Sequence, residues 1–244
     1  MAASAVQLAP FRIESWARTH EGRVRDHNED SYCAREPQGF WAVADGMGGH
    51  EGGEWASATL VGKLESIDLP HDLERAQDLV AEAIGEANRV ILHEAQRRRK
   101  QMGSTVVTLL MQDRRYAVLW VGDSRAYLLR DGALLQLSRD HSQVQDMVER
   151  GLMRAEDAVG HPMSHILSRA VGVTERVEVD RVTGEVEPGD VFLLCSDGLH
   201  GYLRPEEIPD LSNPGGQWSV QRFIDLANSR GGRDNITAVV VEVC

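Results

Sequence analysis

Between Glu51 and Arg99 the sequence carries two helical patterns in succession with no strand between them, and strand-like runs stand on both sides. The first pattern runs from Glu51 to about Ser66. It sets Trp55, Ala58, Leu60, Val61 and Leu64 on one side. The second runs from about Asp72 to Arg99 and repeats Leu73, Ala76, Val80, Ala83, Ile84, Ala87 and Ile91 at helical spacing. Before the pair, "FRIESWART" (11–19) and "FWAVAD" (40–45) read as strands. After it come "STVVTLLMQ" (104–112), "RYAVLWVGD" (115–123), "RAYLLRDG" (125–132) and "ALLQLS" (133–138). Further strands are expected at 176–186, 190–196 and 235–243, with a short helix after Pro205 and another near 217–229. A doubly wound sheet would follow each strand with its own helix, and this order does not. The pattern predicts an α+β domain in which two sheets, with helices outside, bury such strands on both faces.

No linker rich in Pro, Gly or Ser divides the chain and no internal repeat is visible, so residues 1–244 are expected to form a single domain. Residues 141–169 differ from their surroundings. They are polar, carry three histidines, and contain "HSQVQDMVERG" as a short amphipathic helix. The formal net charge of −12 argues against nucleic acid or an anionic membrane surface as the main partner. The basic run "RRRK" closes the second long helix, where the helix dipole favours cations, and reads as a solvated end. Cys33, Cys195 and Cys244 make no CxxC pair, which fits a reduced, cytoplasmic compartment. The N-terminus lacks the pattern of a signal peptide, and no stretch approaches the roughly 18 apolar residues of a membrane span.

Three strongly apolar runs end in an acid. "FWAVAD" ends at Asp45, "AVLWVGD" at Asp123 and "VFLLCSD" at Asp197, while Asp234 immediately precedes the last strand. For Asp131-Gly132, between two apolar runs, the hairpin-turn reading is sufficient. Asp45-Gly46 and Asp197-Gly198 have a helix or loop after them instead. If the four tips meet, their repulsion is unfavourable unless cations lie between them. Clustered aspartate oxygens suit hard divalent ions such as Mg²⁺ or Mn²⁺. In "DGMGG" the glycines allow a sharp turn and a close approach, so that the Gly46 carbonyl can become a ligand. Other phosphate chemistries fail on spacing. Glu51 stands where GxGxxG needs its last glycine, no GK[ST] follows, and Gly201 occupies the arginine position of a Cys-x5-Arg loop from Cys195. His27, His50, His141, His161 and His165 show no HExxH spacing and read as surface or hydrogen-bonding residues.

The motifs "RVRDHNED" (23–30), "VADGMGGHEGG", "WVGDSRAYLLRDG", "LSRDHS", "CSDGLHG" and "GGRDNITAVVV" occur in that order. From about residue 11 to 243 the chain resembles the bacterial metal-dependent type 2C protein serine/threonine phosphatases. The resemblance implies a β-sandwich of two mostly antiparallel sheets flanked by helices, with a two-metal centre at one edge. It implies Asp45 as the carboxylate bridging two core Mn²⁺ or Mg²⁺ ions, with the Gly46 carbonyl on one of them and Asp197 and Asp234 on the other. Asp123 matches an acid that shares a third, weaker ion with Asp197. Glu29 and Asp30 match acids that hold the waters on the ions, and Arg25 matches an arginine that grips the substrate phosphate. Two ions and Arg25 would make one positive spot on an acidic protein.

The implied reaction is hydrolysis of phosphoserine and phosphothreonine in proteins by a water activated between two ions. Met47 stands where some members carry a histidine proposed to protonate the leaving oxygen. Methionine is common there in bacterial relatives, and a water on a metal is the preferred proton source. Residues 141–169 align with the family's flap, a variable segment beside the site, for which an ordinary surface insertion and a role in substrate selection remain open. Expected partners are phosphoproteins, a Ser/Thr kinase and its targets, and the chain is expected to be a monomer. The alternatives are an inactive phosphatase-like adaptor, against which the retained acids argue, and a small-molecule phosphatase.

Overall fold

The computed structural model describes residues 4–8, 11–49, 51–158, 160–208 and 220–244. In chain order the strands β1 (Ser4–Leu8), β2 (Phe11–His20), β3 (Asp30–Arg35) and β4 (Phe40–Met47) precede helices α1 (Glu51–Glu65) and α2 (Leu73–Arg98). Strands β5 (Gly103–Ser104), β6 (Val106–Gln112), β7 (Arg115–Val121), β8 (Arg125–Arg130) and β9 (Ala133–Gln136) follow. Then come α3 (Gln143–Glu149), α4 (Ala155–Ala158), β10 (Asp180–Glu185), β11 (Val191–Cys195), α5 (Asp197–His200), α6 (Val220–Ser229) and β12 (Ile236–Val243). His50 and the expected start of the last helix at 217–219 lie outside the described residues.

One sheet has the order β1–β2–β12–β11–β8–β9 and the other β10–β7–β6–β4–β3, with β5 against the end of β4. Every pairing is antiparallel. Because side chains alternate faces along a strand, each inner strand supplies two cores. Trp41, Val43, Leu109, Val118, Phe192 and Val239 fill the space between the sheets. Phe40, Ala42, Leu110 and Leu119 face outward to Leu60, Leu64, Ile84 and Ile91 of α1 and α2. On the far side Leu193, Ile236 and Val240 meet Phe223 and Ile224 of α6. The strands are therefore apolar on both faces, and the sandwich with outer helices follows from that pattern.

The long helices match their expected bounds. Asp72 caps α2 by accepting from the Arg75 N–H at 2.8 Å, and Arg99 ends it in the left-handed region at φ 53°. Asp131 and Gly132 both have positive φ between β8 and β9, as a tight hairpin turn needs. Three details differ from the expectations. Strand β3 (DSYCAR) is too polar to stand out, because it is the sheet edge and carries the Ser31–Ser57 hydroxyl pair at 3.0 Å. The run at 104–112 is broken at Thr105, whose N–H donates to the Asp45 carbonyl at 2.8 Å. The strand expected from 176 begins only at Asp180.

Candidate active site

The alternation of β4 continues past the core. Trp41 and Val43 point between the sheets, so Asp45 continues that inner series at the open edge of the sandwich. The strand itself runs on through Gly46 and Met47, past its expected end at Asp45, and the sharp turn falls at Gly48 and Gly49, at φ 129° and 71°. Asp123 lies just beyond the end of β7. Asp197, one residue past β11, is the first residue of α5, and Asp234 stands just before β12. Two glycines bring these ends together. A Cβ on Gly46 would overlap the Gly53 carbonyl, and one on Gly198 would overlap the Asn235 carbonyl.

Asn235 fixes the segment that begins "RVRDHNED". Its side-chain amide donates to the carbonyls of Glu21 (3.0 Å) and His27 (2.9 Å), and its Oδ1 accepts from the Glu29 N–H (2.8 Å). Its own N–H donates to Asp234 Oδ1 at 2.9 Å. One residue thus ties Arg25 and Glu29 to the strand end carrying Asp234. The Arg25 guanidinium, about half exposed, pairs with Asp234 Oδ2 at 2.8 Å.

Arg25, Glu29, Asp45, Gly46, Asp123, Asp197 and Asp234 line a single cleft of about 580 Å³. Asp30 does not line it. Paired in register with Asp45, it points between the sheets and accepts from Ser196 Oγ (2.8 Å) and Thr237 Oγ1 (2.6 Å) of the opposite sheet's strand ends. Sequence reading missed Asn235, Ser196 and Thr237, since short polar residues next to a motif acid or within a strand carry no signal of their own. It also missed Arg169, which lines the cleft and is held by Asp180 at 2.6 Å. The segment 165–170 forms that wall of the cleft. Of its histidines, His141 is buried, accepts from the Gly122 N–H at 3.1 Å and stacks on Trp120, whereas His165 reaches the cleft.

The electrostatics call for cations. Burial first, and the neighbouring carboxylates second, hold Asp45 and Asp123 well above the ordinary carboxylate range and raise Asp197 as well. Burial likewise pushes Asp30 up to about 7. Asp197 Oδ1 and Asp30 Oδ1 are buried with no partner among the described residues. Among those residues no three acids yet form a closed cage, so they share a cleft without converging on a point. Hard oxygen donors, Gly46 in the lining beside them, and orphaned buried oxygens fit divalent Mg²⁺ or Mn²⁺.

Residues 9–217 match the family model of protein phosphatase 2C. The chain belongs to the protein phosphatase 2C family. It is 38% identical over 236 residues to the serine/threonine phosphatase stp of Listeria welshimeri, covering 92% of this chain and 94% of that one. PppA of Pseudomonas aeruginosa, a key regulatory component of its T6SS, is 36% identical and superposes with a TM-score of 0.88 over 99% of this chain and 100% of its own. The catalytic domain of the phosphatase PstP, solved with two manganese ions, is 35% identical with a TM-score of 0.83, covering 95% and 98%. This protein phosphatase 2C chain is therefore a metal-dependent protein serine/threonine phosphatase using Mn²⁺ or Mg²⁺, and phosphoproteins are its substrates. Among the described residues no helix is long and apolar enough to cross a membrane.

Proposed function

We propose that Asp45, the Gly46 carbonyl, Asp197 and Asp234 hold the two core ions, with Asp45 between them. The observation that carries this reading is the gathering of mutually repelling, largely buried carboxylates, one with an orphaned oxygen, in a single cleft. Such ions, when bound, supply an activated water and neutralise the phosphoryl group. The chain's own side chains then position the ester. Glu29, whose carboxylate packs over Gly53 at the cleft wall, orients water. Asp30 holds Ser196 beside Asp197 and keeps Oδ1 for a water. Asp123 and Asp197 hold a third, weaker ion. Residues 1–244 act as one catalytic domain, and the flap at 141–169 selects substrate through the part of the cleft wall at 165–169. The chain works as a cytoplasmic monomer opposite a Ser/Thr kinase and that kinase's targets.

Arg25 grips the phosphate with a bidentate fork. Its pair with Asp234 is half exposed and so worth at most about 1 kcal/mol, which leaves it free to turn to a substrate. Arg25→Ala is expected to cost about 1.5–3 kcal/mol of transition-state binding, roughly a 10–150-fold loss in kcat/KM. Calorimetry should show unchanged Mn²⁺ affinity at the core sites. Loss of metal together with activity would make Arg25 a structural residue.

Met47 lines the cleft and carries no exchangeable proton, so the proton for the leaving oxygen comes from elsewhere. Asp123→Asn is expected to leave the two tight sites filled and to slow phosphopeptide hydrolysis about a hundredfold, the scale of a lost general acid. An activated aryl phosphate needs less help and should lose less. Equal losses on both substrates at saturating Mn²⁺ would remove the case for leaving-group assistance.

The reading is tested by Mn²⁺-dependent phosphate release from a phosphothreonine peptide, compared with free phosphorylated metabolites. Preference for the metabolites would favour a small-molecule phosphatase, and no release from either an inactive adaptor.

A further inference from the structure

A second groove, of about 540 Å³, opens directly beside the catalytic cleft. Met47, Gly48 and Val173 line both, so the two are continuous across one rim. The groove's apolar surface comes from Leu92 on α2, from Met102, and from Val173, which is 51% exposed. Its outer edge is the end of α2, where Arg99 and Lys100 also line it. Both are exposed, and among the described residues neither has a carboxylate partner, whereas Arg97 and Arg98 before them are both taken by Glu94. The backbone fixes where the two side chains leave the helix end. The Arg99 N–H donates to the Gln96 carbonyl at 3.2 Å and the Lys100 N–H to the Ala95 carbonyl at 3.1 Å.

Two unpaired cations on the rim of an apolar groove, on a protein of net charge −12, form a local reversal of the surface field. Nothing in the catalysis uses them. The groove can be reached from the catalytic cleft by a chain that lies across Met47 and Val173. A phosphoprotein substrate must place residues beside its phosphorylated side chain somewhere on this surface, and an extended segment advances about 3.3 Å per residue.

We propose that this groove is a docking subsite for the substrate segment flanking the phosphorylated residue, and that it selects an apolar side chain next to an acidic one. The apolar side chain enters between Leu92, Met102 and Val173, and the acid meets Arg99 and Lys100. This rests on the neighbouring cleft being the phosphatase site. The basic run that reads as a mere helix end in the sequence is thereby a selectivity element.

The test uses three phosphothreonine peptides of one sequence, flanked by Asp and Leu, by Lys and Leu, or by Asp and Ser. Each is compared with an aryl phosphate too small to reach the groove. For the wild-type enzyme, the ratio of peptide to aryl-phosphate kcat/KM should be highest for the Asp–Leu peptide and lower for the other two. In Arg99→Glu/Lys100→Glu the ratio for the Asp–Leu peptide should fall about three- to tenfold, the scale of two exposed charge pairs, and the Lys–Leu peptide should overtake it. The neutral pair Arg99→Gln/Lys100→Gln should remove the preference without reversing it, which covers the case where the charge-reversed variant folds poorly. The preference should also weaken as salt rises. No difference among the peptides, or equal changes on peptides and aryl phosphate, would overturn the proposal. Absence of aryl-phosphate and peptide hydrolysis in the wild type would overturn the phosphatase reading itself.

Discussion

Replacing Asp45 with asparagine is expected to lower turnover by more than about a hundredfold at saturating Mn²⁺. Removing an outer partner of a metal ligand typically costs about 10–100-fold, and a residue between both ions should exceed that. The substitution is nearly isosteric, and the Asp45 N–H bond to Thr105 Oγ1 at 3.1 Å comes from the backbone and survives. A fold effect is therefore not the expected cause. The same change should make the chelated protein more stable. Burial and the charges of Asp30 and Asp197 penalise the ionised Asp45 side chain, and an amide carries no such penalty. Thermal melts in EDTA should place the variant above the wild type, and melts in Mn²⁺ should place it below. Near wild-type turnover, or a variant equally destabilised in both buffers, would contradict the placement of Asp45 between the ions.

The second large effect is the dependence of stability on metal and pH together. Burial raises the pKa of Asp45, Asp123 and Asp197 in the folded protein, and that of Asp30 stands at about 7, against about 3.9 for a free aspartate. Between those values the folded chain binds more protons than the unfolded one, so the stabilisation from the protonated groups is full below about pH 4. It is lost as pH rises through the raised values. In EDTA the Tm should therefore fall from pH 5 to pH 8. Mn²⁺ binds the deprotonated acids, so its increment should grow over the same range. At a hundredfold excess over Kd each site adds about 2.7 kcal/mol, and a chain of this size shifts by about 2–4 °C per kcal/mol. Two sites should raise the Tm by about 10–20 °C at pH 8. An increment that shrinks with rising pH would contradict an acid-lined metal site.

The parts of the fold that were legible in the sequence are those with a strong period. The two long helices and the inner strands bury apolar faces, and Phe40 to Ala44 alone shows both core-facing series. The edge strand β3 was not legible, because solvent and a helix hydroxyl tolerate its polar residues. At the site, Asp45, Asp123 and Asp197 could be read from their place at the end of an apolar run, and Asp234 from its place just before one. The groups that position them could not. Asn235 acts through carbonyls at Glu21 and His27 that no side-chain pattern encodes, and Asp30 reaches Thr237 across 207 positions of sequence. The tie between Arg169 and Asp180 depends on how 165–170 folds back over the cleft, a matter of tertiary packing.

The central claim is that Asp45 stands between two ions, with Asp197 and Asp234 beside it. Anomalous diffraction from crystals grown with Mn²⁺ tests it most directly. Two strong manganese peaks are expected in the cleft, both in contact with the Asp45 carboxylate, and one also touching Asp197 and Asp234. A single peak, or a pair of ions bound without Asp45, would contradict the account.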